Sequence, residues 1–196
     1  MKVLSVFAGP NGSGKTTIQE RYPYRTPGVN INTDDLTLKM GSEVAGGREA
    51  IRLQNAELKK GNSFTIETTL SGNSALKLMK KAKEQGYRIN LYFICTASVD
   101  INIARVSSRV KLGGHDVPRE AIDRRYRRSI GNLQKAIEIA DTSHLFDNSG
   151  SKNKHVLSVI RNRVRLNRRE KTLVPWLPEK IASKVHSIIR DRSRSR

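Results

Sequence analysis

The chain has 196 residues, and its 37 Lys and Arg against 18 Asp and Glu give a formal net charge of +19 at pH 7. This length suits one domain with a short appendage, and the basic excess predicts an acidic partner, such as nucleotide phosphates, nucleic acid, an anionic membrane or an acidic protein. No run approaches the ~20 apolar residues of a membrane span, and the single cysteine, Cys95, excludes an intrachain disulfide. We therefore expect a cytoplasmic protein with no membrane partner.

The first predicted elements alternate between strand and helix. "KVLSVFA" predicts a buried strand, "TTIQERY" begins a helix that must end before Pro23, and "VNIN" predicts a second short strand. "GREAIRLQNAELKKG" then predicts a helix closed by Gly61, and "SFTIETT" is rich in the β-branched and aromatic residues of strands.

The alternation continues through the middle of the chain. "NSALKLMKKAKEQG" predicts a helix ended by Gly86, and "RINLYFICT" a buried strand in which Cys95 is a structural thiol. "SVDINIARVSSRV" predicts a helix broken at Gly113 and Gly114, a long helix follows Pro118, and "HLFDNSG" is a last short strand and turn. Strands alternating with helices predict an α/β fold in which helices flank a parallel sheet.

The C-terminal quarter differs from the rest in charge. Residues 152–196 hold 14 basic and 3 acidic residues, a net charge of +11, whereas the preceding 151 residues hold 23 and 15, a net charge of +8. "HVLSVIRNRVRL" fits either a strand pair or a helix, and we favour strands. "PEKIASKVHSIIRD" predicts a helix, and we expect the tail 190–196 to be disordered.

Residues 9–16 read Gly-Pro-Asn-Gly-Ser-Gly-Lys-Thr and match the phosphate-loop pattern G-x-x-x-x-G-K-[ST]. Glycines in this pattern let backbone N–H groups turn around the phosphates of a nucleotide, and the following helix points its N-terminus at them. Lys15 is expected to reach the β- and γ-phosphates, and the Thr16 hydroxyl to bind Mg²⁺. A strand before the pattern and a helix after it favour this interpretation over a chance glycine-rich turn. The candidate ATP-binding residues here are Gly9, Asn11, Gly12, Ser13, Gly14, Lys15, Thr16 and Thr17.

Carboxylates follow two of the predicted strands. Asp34 and Asp35 come just after "VNIN", and Glu67 ends "FTIE". In an open α/β sheet the C-terminal strand ends line the ligand crevice, so Asp34, preferred over Asp35, is a candidate to accept the proton of an acceptor hydroxyl or to hold Mg²⁺ through water. The alternative is that Thr33 and the two aspartates cap a helix. Glu67 is either a Mg²⁺-side carboxylate or an acceptor contact with Thr69 beside it, unless it is only a surface acid.

Two pairs of arginines flank the loop "GGHDVP". Arg105 and Arg109 lie one helical turn apart on the same face of one helix. Arg125 and Arg128 are likewise about one turn apart on the next helix. A lid that closes through such a loop would bring guanidinium groups onto the transferring phosphoryl group, which stabilises its charge and excludes water. The alternative is an ordinary solvated basic face.

The motifs together resemble the zeta-toxin family of P-loop kinases. "AGPNGSGKTT", "INTDD", "FTIETTL", "RVKLGGHDVPREAIDRRYRRSIGNL" and "FDNSG" occur in that family's order, and the similarity covers roughly residues 2–150. The resemblance implies a nucleotide-kinase-like core with a five-stranded parallel sheet and ATP on Gly12 to Thr17. It further implies Asp34 as the catalytic base, Arg125 and Arg128 as lid arginines, and Asn148 near the adenine.

The resemblance also implies a reaction and a partner. Better-known members phosphorylate a hydroxyl of UDP-N-acetylglucosamine, and a cognate antitoxin holds them inactive. We therefore expect an ATP- and Mg²⁺-dependent kinase with an alcohol acceptor, preferably a sugar nucleotide, in which Glu67, Thr69, Arg105 and Arg109 contact the acceptor. The alternatives are a kinase for RNA or DNA ends, suggested by the basic C-terminal region, and a nucleotide-binding toxin component held by an acidic antitoxin. We expect residues 1–150 to form the kinase core, with a lid at about 98–140, and residues 151–196 to form a basic extension packed on it.

Overall fold

The computed structural model describes residues 1–21, 27–167 and 174–194, with side chains as far as residue 189. Within these residues the chain forms seven strands and seven helices. In chain order they are β1 Val3–Ala8, α1 Lys15–Arg21, β2 Val29–Asn32, α2 Thr33–Met40, α3 Glu43–Lys60, β3 Phe64–Thr68, α4 Ser74–Glu84, β4 Arg88–Cys95, α5 Val99–Lys111, α6 Arg119–Ile139, β5 Thr142–Asp147, β6 Lys154–Ile160, β7 Arg163–Leu166 and α7 Glu179–Arg194.

All seven strands belong to one sheet with the order β2-β3-β1-β4-β5-β6-β7. The first five are parallel, which confirms the predicted α/β fold and its five-stranded parallel part. The sheet nevertheless has seven strands rather than five, because β6 and β7 continue it as an antiparallel hairpin. The hairpin turn places Arg161 at φ 47° and Asn162 at φ 66°, the pair of left-handed residues that a type I′ hairpin turn has.

Helix ends follow the signals in the sequence. Gly61 closes α3 with φ 72°, as predicted, and Pro118 stands immediately before α6. α3 begins earlier than predicted, because the Ser42 hydroxyl accepts a hydrogen bond from the Ala45 N–H and caps the helix at Glu43. α1 ends at Arg21, and Pro23 lies outside the described residues.

The buried hydrophobic side chains of the described residues form three clusters. The largest joins the strands to α4 and α6, with Met79 and Leu133 fully buried, a second gathers around Phe7 beside α1, and a third joins α5 to α6. Trp176 belongs to the largest cluster, with its ring centroid 5.7 Å from that of Phe93. The hydrophobic core therefore extends past residue 150 into the basic C-terminal segment.

The last described helix reaches into the predicted C-terminal tail. α7 continues to Arg194, into the segment 190–196 that we expected to be disordered, and residues 195–196 lie outside the described residues. Ile181 and Val185 hold the preceding turns of α7 against the core. No helix in the described ranges is long and apolar enough to cross a membrane.

Candidate active site

The phosphate loop connects β1 to α1, and its glycines are required by its shape. Gly12 and Gly14 have φ 74° and 89°, in the left-handed region that favours glycine. A Cβ on Gly9 would lie 1.9 Å from the Ile94 carbonyl oxygen, so Gly9 allows the loop to lie directly on β4. The loop therefore forms a backbone cradle in which N–H groups can face a phosphate.

Three polar side chains meet at the mouth of this loop. The Lys15 ammonium donates to the Pro10 carbonyl oxygen at 3.2 Å and forms an ion pair with Glu67 at 3.7 Å. The Thr16 hydroxyl donates to the other Glu67 oxygen at 3.2 Å. Lys15 and Glu67 are both more than 90% buried, so this charge pair is shielded from bulk solvent.

Strand register explains why residues far apart in the sequence converge here. Glu67 on β3 is opposite Phe7 of β1 on one side and Asn32 of β2 on the other. The Asn32 side chain accepts from the Asp34 N–H at 3.0 Å and caps α2, which fixes Asp34 in the first helical turn beside Glu67. The capping residue is thus Asn32 rather than Thr33.

Two cavities open on either side of these residues. The phosphate-loop cavity has a volume of about 270 Å³ and the hydroxyl-lined cavity about 290 Å³. Lys15, Asp34 and Glu67 lie in the walls of both, so they mark the boundary between the two spaces. Their other lining residues are Asn11, Gly12, Gly14, Thr16, Thr17, Arg105, Val106 and Arg109 for the phosphate-loop cavity, and Asn32, Thr33, Thr37, Glu43, Thr68, Thr69, Ser71, Gly72, Ser74 and Arg125 for the hydroxyl-lined cavity.

The neighbouring Asp35 occupies a different position. It is exposed and lines another depression, with Gln19 and Glu20 on the α1 side, and it lines neither of the two main cavities. The half-buried Asp34 is therefore the better placed of the two aspartates for chemistry at the boundary.

The predicted arginines divide among three locations. Arg105 and Arg109 line the phosphate-loop cavity, and their contact with an acceptor stays a prediction. Arg125 lines the hydroxyl-lined cavity, donates to the Asn11 side-chain oxygen at 3.4 Å and pairs with Glu43 at 3.7 Å. Arg128 is exposed and lines neither cavity, because three residues along α6 rotate it by about 60° from Arg125.

Asn148 supports the phosphate loop from behind. Its side-chain N–H₂ donates to the Ser13 carbonyl oxygen at 2.8 Å, and its backbone N–H donates to the Cys95 carbonyl oxygen at 2.8 Å. A Cβ on Gly14 would lie 2.3 Å from the Asn148 amide nitrogen. The residue thus contacts the loop itself, whereas the adenine contact remains a prediction.

Asn102 is a site residue that sequence reasoning missed. Its fully buried amide donates to the Asn11 carbonyl oxygen at 2.5 Å and accepts from the Thr96 hydroxyl. The Tyr126 hydroxyl of α6 in turn donates to the Thr96 carbonyl oxygen at 2.7 Å. One signal in the sequence could have identified it. Asn102 lies four residues before Val106 and therefore on the same, inward-facing side of α5.

Replacing Asn102 with alanine is expected to weaken ATP binding and to lower the free energy of unfolding by about 1–3 kcal/mol, since buried polar partners lose their hydrogen bonds. Calorimetric titration with ATP and chemical denaturation measure the two effects. The core change Ile181→Val, costing about 0.5–1.5 kcal/mol, is the control for stability alone and should leave ATP affinity unchanged. Wild-type ATP affinity in the Asn102 variant would show that the residue does not position the loop.

A strained residue shapes the wall of the hydroxyl-lined cavity. Leu70 is fully buried yet has φ 56°, a conformation that costs a non-glycine residue about 1–3 kcal/mol. The Asn132 amide of α6 donates to the Leu70 carbonyl oxygen at 3.0 Å and holds it there. On either side of the bend the Thr69 and Ser71 hydroxyls bond to each other at 2.9 Å in the cavity wall.

Two groups behind the phosphate loop stay neutral. Burial raises the pKa of the Cys95 thiol to about 12, and burial likewise raises the pKa of the Tyr126 hydroxyl. Cys95 is fully buried and unpaired with another cysteine, which confirms the prediction of a structural thiol. Neither group is therefore a candidate acid or base at physiological pH.

The side chains around the phosphate loop are suited to bind a nucleoside triphosphate together with Mg²⁺. The Ser13 hydroxyl in the loop and one Arg105 guanidinium nitrogen are buried without a hydrogen-bond partner. Both groups are donors, and Arg105 lies in the wall of the phosphate-loop cavity, where phosphate oxygens would satisfy it. Mg²⁺ usually binds through one or two protein ligands together with phosphates and water, and Thr16 with Glu67 provides such a pair.

A parallel sheet with a phosphate loop after β1 and acidic residues at the neighbouring strand ends defines a P-loop kinase-like domain. The chain matches the AAA domain family over residues 4–129 and belongs to that family. It is 35% identical over 126 residues to an uncharacterized protein of Haemophilus influenzae, an alignment that covers 61% of this chain and 89% of the relative.

Solved structures of other proteins share this fold. The AvrRxo1-ORF1:AvrRxo1-ORF2 complex with ATP matches with a TM-score of 0.70 at 16% identity, over 96% of this chain and 64% of that chain. The chain thus spans less than two thirds of that relative's length. The PezAT chromosomal toxin-antitoxin system of Streptococcus pneumoniae matches with a TM-score of 0.56 at 13% identity, over all of this chain and 87% of that chain.

Proposed function

We propose that the protein is an ATP- and Mg²⁺-dependent kinase that phosphorylates a hydroxyl of a small molecule. The observation that carries this proposal is the shared wall in which Lys15, Asp34 and Glu67 separate the phosphate-loop cavity from the hydroxyl-lined cavity. A nucleotide on one side and an acceptor on the other would meet at that wall. Simple hydrolysis would need no second shaped cavity.

The reaction assigns a role to each residue of the shared wall. The acceptor oxygen bonds to the γ-phosphorus while the bond from that phosphorus to the β–γ bridging oxygen breaks, and ADP leaves. The Asp34 carboxylate accepts the proton of the acceptor hydroxyl. Lys15 would stabilise negative charge on the phosphates. Glu67 and Thr16 would hold Mg²⁺, which would supply further charge neutralisation.

The arginines complete the proposed site. Arg105 and Arg109 would contact phosphates from α5, and Arg125 would face the acceptor or the transferring group from α6. A lid that moves would involve α5 and the first half of α6, since the second half contributes Leu133 and Ile137 to the core. Arg128 would join the site only after such a movement.

The acceptor that we favour is a sugar nucleotide. Six hydroxyl side chains and the carboxylates of Asp34, Glu43 and Glu67 line the hydroxyl-lined cavity, and no aromatic side chain is among its described lining residues. Hydroxyls and carboxylates match the alternating donors and acceptors of a sugar. Arg125 and Lys15 are the basic residues in that wall. The guanidinium group of Arg125 is suited to bind the diphosphate of a sugar nucleotide.

The test is the destination of the γ-phosphate. Purified protein is incubated with Mg²⁺ and γ-labelled ATP, together with UDP-N-acetylglucosamine or a short RNA with free 5′-hydroxyl ends, and the products are identified by mass spectrometry. Label on a hydroxyl of the sugar nucleotide supports the proposal. Label released only as free phosphate, or found only on the RNA, contradicts it.

Phosphoryl transfer to nucleic-acid ends is the second candidate, because β7 presents a basic edge to the sheet. Arg163 and Arg165 are exposed on this outermost strand, and Lys152 and Lys154 are exposed just before and at the start of β6. An acidic protein partner of the antitoxin kind is a further proposal for the same surface. Because β6 belongs to the sheet, charge reversal tests this edge better than deletion of the C-terminal region.

Changing Arg163 and Arg165 together to glutamate is expected to leave phosphorylation of the small molecule unchanged, since neither residue lines the two cavities. If nucleic acid is the acceptor, RNA affinity falls instead, and the slope of log affinity against log salt decreases by about two. Fluorescence anisotropy across a salt series measures this slope. Lys77→Glu with Lys80→Glu on α4 makes the same charge change at another exposed surface and is the control.

A further inference from the structure

The chain bends at residues 69–71, directly after β3, in the wall of the hydroxyl-lined cavity. Thr69 and Ser71 both line this cavity, and their hydroxyls bond to each other at 2.9 Å. Leu70 lies between them, and its side chain is instead fully buried in the largest hydrophobic cluster. The bend therefore combines one buried anchor with two hydroxyl side chains in the cavity wall.

Two hydrogen bonds keep the bend in a conformation that a leucine rarely adopts. Leu70 has φ 56°, in the left-handed region. Its N–H donates to the Thr68 hydroxyl at 3.1 Å, and its carbonyl oxygen accepts from the side-chain amide of Asn132 at 3.0 Å. The peptide groups on both sides of the strained Leu70 Cα are therefore held.

Both partners belong to well-packed parts of the fold. Thr68 is the last residue of β3, where it pairs with Ala8 of β1, and its carbonyl oxygen accepts from the Gly9 N–H at 3.2 Å. Asn132 lies next to Leu133, which is fully buried in the core. Asn132 thus connects the packed half of α6 to the wall of the hydroxyl-lined cavity.

We propose that Asn132 is a positioning residue for the acceptor. It holds Leu70 in the left-handed conformation and so keeps the Thr69 and Ser71 hydroxyls together, where each can donate to and accept from a polyhydroxylated molecule. A return of Leu70 to negative φ would rotate Ser71 away from Thr69. The role of the two hydroxyls rests on the proposed function, whereas the hold on the bend does not.

The hold on the bend can be measured without any substrate. Asn132→Asp keeps the size of the side chain but removes its N–H donor, because a carboxylate only accepts hydrogen bonds. The Leu70 amide hydrogen is expected to exchange with deuterium roughly tenfold faster, since the bend opens more easily without this bond. An exchange rate equal to that of the wild type overturns the proposal.

Asn55→Asp is the matched control for the exchange experiment. It makes the same substitution on α3, where the exposed Asn55 side-chain oxygen accepts from the Lys81 ammonium at 2.8 Å and an aspartate can do the same. Asn55 lines neither of the two cavities. The Leu70 amide should therefore exchange in this variant at the wild-type rate, and equal acceleration in both variants contradicts a specific hold by Asn132.

The role in acceptor binding is measured with UDP-N-acetylglucosamine as the probe. Its Kd, followed by calorimetry, is expected to rise about tenfold in Asn132→Asp, the effect of about one hydrogen bond. ATP affinity should be unchanged, because Thr68 and the phosphate loop remain paired through β1 and β3. Lower thermal stability with an unchanged Kd for the sugar nucleotide would make Asn132 a purely structural residue and overturn the proposal.

A double variant tests whether Asn132 acts through the bend. If it does, Asn132→Asp weakens binding of the sugar nucleotide less in a protein that already carries Thr69→Val than in the wild type. Equal weakening in both proteins contradicts the proposal. Wild-type protein that fails to bind UDP-N-acetylglucosamine contradicts the sugar-nucleotide function, and faster Leu70 exchange in Asn132→Asp then still supports the hold on the bend.

Discussion

Replacing Asp34 with asparagine is expected to lower kcat for phosphoryl transfer by about 10²- to 10⁴-fold, the usual contribution of a general base. An amide keeps the size and the polar contacts of the side chain but cannot accept the proton of the acceptor hydroxyl. Asp34 lies in the wall shared by both cavities, whereas the nucleotide cradle is formed by the backbone of residues 9–16, which this substitution does not change. ATP affinity, measured by calorimetry, should therefore stay close to that of the wild type.

Asp35→Asn is the matched control for this experiment. The two aspartates are adjacent in the first turn of α2, so both changes remove one negative charge near the start of the same helix. Asp35 is exposed and lines neither of the two cavities, although the depression that it does line shares Thr16 and Glu67 with them. An Asp34 variant as active as the Asp35 variant would exclude Asp34 as the base.

Replacing Lys15 with methionine is expected to reduce both activity and stability. The variant lacks the positive charge that would stabilise the transferring phosphoryl group, and this loss lowers kcat by about 10²- to 10³-fold. Since Lys15 and Glu67 are both more than 90% buried and form an ion pair at 3.7 Å, the variant also leaves the Glu67 carboxylate buried without its cation. That unpaired charge lowers the free energy of unfolding by about 3 kcal/mol.

The double variant Lys15→Met with Glu67→Gln separates these two effects. It removes the unpaired charge, so most of the lost stability should return, whereas activity should stay low because both phosphate-side groups are missing. Urea denaturation and the labelled-ATP assay measure the two quantities. Stability that does not recover in the double variant would show that the cost of Lys15→Met comes from packing rather than from the ion pair.

The hydrogen bonds around Asn11 link the phosphate loop to α6. Arg125 contacts the Asn11 side chain directly, and its neighbour Tyr126 reaches the Asn11 backbone through Thr96 and Asn102. A movement of the first half of α6 would therefore change the position of Asn11 in the phosphate loop. Such coupling would connect closure around an acceptor with the shape of the phosphate cradle.

Local features of this protein were determined by the sequence alone. The phosphate loop requires glycine at left-handed positions and lysine at a fixed spacing, so residues 9–16 identify it without tertiary information. The alternation of apolar runs with amphipathic segments likewise predicted the parallel sheet, because period and length distinguish strands from helices. Asp34 and Glu67 were placed at strand ends for the same reason, since the carboxyl ends of parallel strands share one edge.

Tertiary structure decided which side chains meet. Helical spacing alone made Arg125 and Arg128 equally good candidates for the site. The packing of α6 shows that Arg125 lines a cavity whereas Arg128 is exposed. In the sequence, Asn102 cannot be distinguished from any other polar helix residue. Its role depends on the packing of α5 against β4 and the phosphate loop. Burial and contact between distant segments depend on how elements pack, and a linear pattern specifies the face of a helix but not its neighbour.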